Sequence, residues 1–294
     1  MYATRFVLCS TTLALVATTL APGTAWAAPP APGPLAIRQV RGAIHEVTGG
    51  AIANTGLFIG PTEVLAIDAK MSPEATRDLV ARLKKLTPNP VTLVALTHSD
   101  HDHVDGLPGY PGGVRVIAHR NARRDLEQAF TDAARRAYLP SLTFTEEMDL
   151  HFGPTTVRLL HFGPAHTNGD VVVYFPKEKV AFIGDLLFIG RDPLIHRKKG
   201  GSSTGLVTNL KAILKLDADT FVHGHGPAAG RAAIEDLVRR IEETRAKVLG
   251  LVAKRRSLAE IKRALAIEDH PVPPGGVRWP SLVEIIYAEA TEKK

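Results

Sequence analysis

The sequence predicts an α+β domain in which two mixed sheets pack face to face and helices cover the outside. Three observations carry that expectation. Short β-type runs with turn punctuation occupy two separate stretches of the chain. Each stretch also contains helical segments whose apolar residues fall on one face. Two sheets packed on each other with helices outside bury all of those faces. The chain has 294 residues and is 45% hydrophobic, enough for a sizeable core in one large domain or two small ones.

The N-terminus is set apart from this domain. Arg5, the apolar run from Phe6 to Leu20 and Ala25-Trp26-Ala27 form the n-region, h-region and small-x-small site of a secretory signal peptide. Cleavage is expected after Ala27, which would deliver the protein to the periplasm or the medium. The run is short for a span and rich in Thr, so no membrane anchor is expected to remain. No Arg pair precedes it, which argues against the twin-arginine route. The only cysteine, Cys9, lies inside this leader, so the mature chain has no thiol and any metal site must use His and carboxylates. Residues 28–37, opening APPAPGP, read as a flexible linker; 38–230 read as the main domain, and 231–294 as a helical extension packed on it. The net charge of +6 comes from dispersed basic residues. Nucleic-acid binding, which calls for a clustered basic face, is not expected.

In chain order, strands are expected at Ile44–Val47, Ala51–Ile59 and Val64–Asp68, separated by Gly49-Gly50 and Gly60-Pro61. Ser72-Pro73 starts a helix, with Ser as N-cap and Pro in the first turn, and Leu79, Val80, Leu83 and Leu86 on its apolar face. Strands Val91–Leu96 and Val114–Ala118 follow, then a helix from Asn121 and a hairpin over Asp149–His151 and Thr156–His161. Strands Val171–Phe175 and Val180–Ile183, a helix near Leu206–Leu216 and a strand Thr220–His223 complete the second half. The tail, helical from Ala228, has segments at Ile234–Val252, Leu258–Leu265 and Ser281–Ala290, with a break at Pro271–Gly276.

Candidate metal ligands stand at the ends of four apolar strands. The stretch TLVALTHSDHDHVDG offers His98, Asp100, Asp102 and His103. On an extended segment 98, 100 and 102 point one way, His103 joins them if the chain turns, and His101 points away. GPAHTNGD adds His166, AFIGDLLF adds Asp185, and TFVHGHGP adds His223 and His225. A buried carboxylate at a strand end is costly unless compensated, which favours a cation partner for Asp185.

These features resemble the metallo-β-lactamase-fold hydrolases from about Ile44 to Pro227. The resemblance rests on Asn54-Thr55-Gly56, the strand ending in Asp68, Thr97-His98-x-x-x-Asp102-His103-x-x-Gly106, Gly163-x-x-His166-Thr-x-Gly169, Phe182-x-Gly184-Asp185 and Gly224-His225-Gly226. It implies a four-layer αββα sandwich with the site at one edge of the paired sheets. It also implies a first metal on His98, residue 100 and His166, a second on Asp102, His103 and His225, and Asp185 bridging them. The family usually carries His at position 100, where this chain has Asp. Asp100 is therefore expected to be an oxygen ligand that hardens the first site and lowers the Lewis acidity of its metal. Flavodiiron oxidoreductases of the same fold are similar in having a carboxylate there. Two divalent ions are expected; zinc is favoured, with iron and manganese as alternatives.

The implied activity is hydrolysis of an ester, lactone, thioester or lactam by water that two cations bring to a near-neutral pKa. Asp102 and Asp185 are the catalytic candidates, with Asp102 the better proton shuttle to the leaving group. The substrate is expected to be a small molecule, and an anionic one if the basic loop Arg191, His196, Arg197, Lys198 and Lys199 grips it; a solvated charge run is the other reading of that loop. His223 either supports the site or bonds to backbone at its strand end. A β-lactamase with a Cys ligand is excluded, and a Cys-free one stays open. Export argues against glyoxalase II, and a nuclease is disfavoured. A diiron oxidoreductase and a metal-binding protein without turnover are the remaining alternatives, and no oligomeric state is read from the sequence.

Overall fold

Short apolar runs broken by Gly-containing turns fold residues 36–144 into a seven-stranded sheet. The structure, a computed structural model, describes residues 33–50, 52–268 and 278–292. The expected leader with its cleavage point, the linker up to residue 32 and the Pro271–Gly276 break lie outside the described residues.

The first sheet runs β1 (Ala36–Arg41), β2 (Ile44–Thr48), β3 (Thr55–Ile59), β4 (Val64–Ile67), β5 (Val91–Ala95), β6 (Arg115–His119) and β7 (Leu142–Phe144). Pairing is antiparallel from β1 to β4 and parallel from β4 to β7. Helices α1 (Pro73–Leu83) and α3 (Arg120–Ala129) make the long crossovers. Between them stands a short turn of helix, α2 (His101–Val104), and after them α4 (Ala133–Arg136). Ser72 caps α1 as its sequence predicts, its Oγ accepting from Ala75 N at 3.2 Å, and Leu79 and Leu83 are buried. Leu86, expected on the same face, lies past the helix end and is exposed.

The second sheet contains β8 (Glu147–Phe152), β9 (Thr155–Leu160), β10 (Val172–Phe175), β11 (Val180–Gly184) and β12 (Thr220–His223), in spatial order β12-β11-β10-β9-β8. Only β11 and β12 pair in parallel, across α5 (Ser203–Ile213). The inner faces meet in one apolar layer of Phe58, Ile67 and Ile117 from the first sheet and Val173, Phe175 and Phe182 from the second. Leu79 and Leu126 cover the far side of the first sheet. The far side of the second is covered by α5, α6 (Arg231–Ala253) and α8 (Leu282–Thr291), with α7 (Leu258–Ala264) beside them. The result is the four-layer αββα sandwich.

Several expectations are corrected. Ala36–Arg41, partly assigned to the linker, is an edge strand with exposed polar residues, which hid its period. The strand expected from Ala51 begins at Thr55, because Asn54 turns away to bond the other sheet's loop: its Nδ2 donates to the carbonyls of His223 and Gly226. Ala228–Ala229 are not helical; Ala229 bridges Phe221, and the helix starts at Arg231. The extended alternation expected through residue 102 stops at Asp100, the N-cap of α2. Among the described residues no helix is long and apolar enough to cross a membrane.

The C-terminal helix is tied to the body by a polar network. Glu289 accepts from Ser203 N at 2.6 Å, from the Ser203 hydroxyl, and from Arg245 Nη1 at 3.0 Å. Removing one partner of a mostly buried charged set leaves the others unsatisfied. Glu289→Ala should therefore lower unfolding stability by about 2 kcal/mol, read as a shift in the urea midpoint with an unchanged slope.

Candidate metal centre

The seven predicted ligands come from five segments that converge at one edge of the two sheets. His98 and Asp100 follow β5, Asp102 and His103 lie on α2, His166 sits between β9 and β10, Asp185 follows β11 and His225 follows β12. Two clusters result, each with candidate ligand atoms within 4.8 Å of one another: His98, His166 and Asp185, and Asp102, His103 and His225. Asp185 faces both. Its Oδ1 lies 3.3 Å from His103 Nε2, and its Oδ2 lies 3.1 Å from His225 Nε2 and 3.9 Å from His166 Nε2.

Hydrogen bonds on the far ring nitrogen turn the same atom of three histidines inward. Asp68 accepts from Thr97 N at 2.7 Å and from Thr97 Oγ1 at 2.6 Å, so that hydroxyl is left to accept from His98 Nδ1 at 2.9 Å. The same Asp68 carboxylate takes His103 Nδ1 at 2.8 Å, and the Leu194 carbonyl takes His166 Nδ1 at 2.9 Å. Each ring therefore presents an Nε2 lone pair to the centre, the arrangement in which a metal-ligating His is held by an outer acceptor. His98 Nε2, His103 Nε2 and Asp185 Oδ1 are buried with no hydrogen-bond partner. Buried polar atoms are normally paired, so these three orphaned donor-set atoms, drawn from the two clusters and Asp185, fit cation partners. Two divalent ions of N/O preference would suit these His and Asp donors.

The electrostatics divide the three histidines, and metal binding would have to displace protons from two of them. Burial holds His98 well below the ordinary imidazole range, with His103 adding to the effect. Burial also opposes charge on His103 and His166. The Asp185 and Asp68 carboxylates outweigh it at His103, and Asp100 and Asp185 outweigh it at His166, raised to about 9. Asp185 is driven well below its ordinary value despite burial, chiefly by His103 and His225.

Asp100 has different company from the other ligands. Its Oδ1 takes Lys199 Nζ at 2.8 Å, and its Oδ2 lies 2.7 Å from His196 Nε2, 3.0 Å from His166 Nε2 and 3.8 Å from His98 Nε2. His101 is exposed and pairs with Asp105 at 3.2 Å.

The other named residues divide. His196 reaches the centre. Arg191 lies over the Phe188 ring at 4.3 Å, and Phe188 stacks on His225 with ring centres 5.6 Å apart. Burial lowers the Arg191 pKa, while Asp185 and Asp102 work against that shift. Lys198 is exposed and is not brought to the site; its neighbour Lys199 is. His223 bonds backbone, with Nε2 3.1 Å from the Pro227 carbonyl oxygen. Sequence reasoning missed Phe188, Leu194 and Trp279, whose ring lies 4.4 Å from that of His196. Phe188 ends the quoted AFIGDLLF, but nothing in the sequence signals Leu194 or Trp279.

Gly224 shows how closely the chain wraps this centre. A Cβ there would lie 2.0 Å from Asp185 Oδ1 and 2.9 Å from His103 Cε1. Gly224→Ala should keep the fold by circular dichroism while bound metal, measured by plasma emission, drops to less than half.

A family model described as the metallo-beta-lactamase superfamily matches residues 48–225. The 2,4-dinitroanisole O-demethylase subunit alpha of Nocardioides sp. (strain JS1661) is 28% identical over 189 residues, covering 63% of this chain and 56% of that protein. The linear primary-alkylsulfatase of Pseudomonas sp. (strain ATCC 19151) is 21% identical over 225 residues, 61% of this chain and 42% of that one. The chain thus spans about half the length of these curated relatives. A solved metallo-beta-lactamase from Pontibacter korlensis shares the fold with a TM-score of 0.61 at 19% identity, covering 70% of this chain and 99% of that one. With the αββα sandwich and the convergent His and Asp donors, the family match spans more than half of the sequence, and the chain belongs to the metallo-beta-lactamase superfamily.

Proposed function

We propose that the protein is an exported dinuclear metallohydrolase that cleaves an ester, thioester, lactone or lactam bond in a small anionic substrate. The observation that carries this reading is Asp185, buried between two histidine clusters with Oδ1 accepting no hydrogen bond. His98, Asp100 and His166 would hold one ion, Asp102, His103 and His225 the other, and Asp185 would contact both. When bound, two such cations supply near-neutral ionisation of water and stabilise developing negative charge on the substrate.

The side chains supply the rest. Asp102, with a side-chain exposure of 21% against 4% for Asp185, is the carboxylate open to the mouth. It takes the proton of the attacking water and returns it to the leaving group. Asp185 is held ionised and orients its histidine neighbours. Arg191 makes no ion pair among the described residues, and its guanidinium, parked over Phe188, is free to bind a carboxylate or sulfate. The alkylsulfatase relative, by its name, makes sulfate esters the first substrates to try. The leader-like N-terminus supports action outside the cytoplasm, and zinc is the favoured metal. Asp100 favours a second reading, a diiron oxidoreductase, because a carboxylate ligand suits a harder ion.

Metal analysis of purified protein tests both readings. Two zinc per chain, dropping to one or none in Asp185→Asn and His166→Ala, is the expected result. Two irons with a reducible absorbance would move the oxidoreductase reading forward, and no metal would end both. Arg191→Ala should raise KM for an anionic ester about tenfold or more while changing kcat less than threefold, and should leave a neutral ester unaffected.

A further inference from the structure

Asp100 leaves the first cluster one imidazole short of the set that the family usually carries. We propose that His196 makes up that deficit as a metal ligand, donating Nε2 beside Asp100 and His166 to the first ion. The proposal rests on the metal-centre reading given above.

Three atoms define the position. Asp100 Oδ2 lies 2.7 Å from His196 Nε2 and 3.0 Å from His166 Nε2, and one donor atom from each residue falls within 4.8 Å of the others. An Asp side chain is shorter than a His side chain, and the His196 ring enters from the opposite segment to meet it. The His196 and His166 rings stand edge to face with centres 4.9 Å apart.

The backbone holds His196 there independently of its ring. His196 N donates to the His166 carbonyl at 2.8 Å, and the His196 carbonyl accepts from Lys199 N and Gly201 N, each at 2.9 Å. Gly201 is needed for this packing, since a Cβ would lie 2.3 Å from the His166 carbonyl oxygen. Trp279 meets the ring from outside at 4.4 Å and 67°.

Charge balance points the same way. The outer oxygen of Asp100 is taken by Lys199 Nζ at 2.8 Å, which also donates to the Ser99 carbonyl at 3.0 Å. Asp100 and Lys199 together are neutral, as an imidazole at position 100 would be. Adding His196 then returns the donor set to the usual number of neutral nitrogens with an extra oxygen. An ordinary surface histidine would need none of this support; the His196 side chain is only 15% exposed.

The test separates a ligand from a mere hydrogen-bond partner of Asp100. His196→Gln keeps a side-chain donor for Asp100 but removes the imidazole. Metal-stripped full-length protein and this variant are titrated with Co2+ by calorimetry, followed by the ligand-field absorption bands and by the imidazole count from X-ray absorption. The wild type should bind two Co2+. His196→Gln should bind one of them more than about 100-fold more weakly, beyond the usual cost of an outer partner, with changed bands and a lower imidazole count. Asp100→His introduced into His196→Gln should recover most of the lost affinity.

An unchanged imidazole count in His196→Gln overturns the proposal whatever the affinity, as does failure of Asp100→His to restore it. If the wild type binds two Co2+ and His196→Gln matches it, only this inference falls. If the wild type binds none, the metal-centre reading falls as well.

Discussion

The Asp68 carboxylate is the constraint on which the rest of the centre depends. It follows β4 directly and reaches across to the segment after β5, where it accepts from Thr97 N and Thr97 Oγ1, and on to α2, where it accepts from His103 Nδ1. Through the Thr97 hydroxyl it also sets the ring of His98. One buried anion thus fixes two histidines on two different elements, one from each cluster. Hydrogen bonds to a charged acceptor contribute on the order of 1.5–3 kcal/mol each. That is enough to hold Asp68 at φ 64°, a left-handed backbone that costs a non-glycine residue about 1–3 kcal/mol. Tyr110 Oη, donating to the Asp68 carbonyl at 2.9 Å, secures the same turn.

Around that anchor the site is a problem of compensated charge. Four carboxylates, Asp68, Asp100, Asp102 and Asp185, come together with the histidines in space that is largely closed to water. Asp68 is offset by hydrogen bonds and Asp100 by Lys199. Asp102 is partly open to solvent, and the buried Asp185 is held well below its ordinary carboxyl range by His103 and His225. Its neighbours His103 and His166 are pushed toward the charged form by the carboxylates around them; as ligands they would give up those protons, and a cation would then replace the lost positive charge. The donor set therefore suits cations, and Gly224 packs bare backbone against it because a Cβ would lie 2.0 Å from Asp185 Oδ1.

How much of this could be read from the chain follows from how local each signal is. Ser72-Pro73 announced the start of α1 because an N-cap acts within one turn. The apolar runs before Asp68, His98, Asp185 and His225 announced buried strands whose ends carry the centre. The edge strands β1 and β7 were hidden: β1 has few buried positions and β7 has three residues, so neither shows a clear period. The alternation argument for residues 98–102 failed at Asp100 because α2 starts there, although its outcome, His103 turned inward with Asp102, matches the sequence reading. The partners of His196 were illegible, since contacts with Asp100, His166 and Trp279 join residues 96, 30 and 83 positions away.

The segment after β11 links the metal donors to the mouth of the site. Within residues 188–199, Phe188 stacks on His225, Arg191 lies over Phe188, and the Leu194 carbonyl holds His166 Nδ1. His196 and Lys199 then take the two oxygens of Asp100. A single loop therefore touches a candidate ligand of each cluster and carries Arg191 beside them. Through Phe188, packing connects the Arg191 guanidinium to the His225 ring. The same loop also bears on Asp at position 100. An imidazole there would extend to where His196 Nε2 now lies, 2.7 Å from the carboxylate oxygen. The shorter carboxylate leaves that position to His196 and its other oxygen to Lys199.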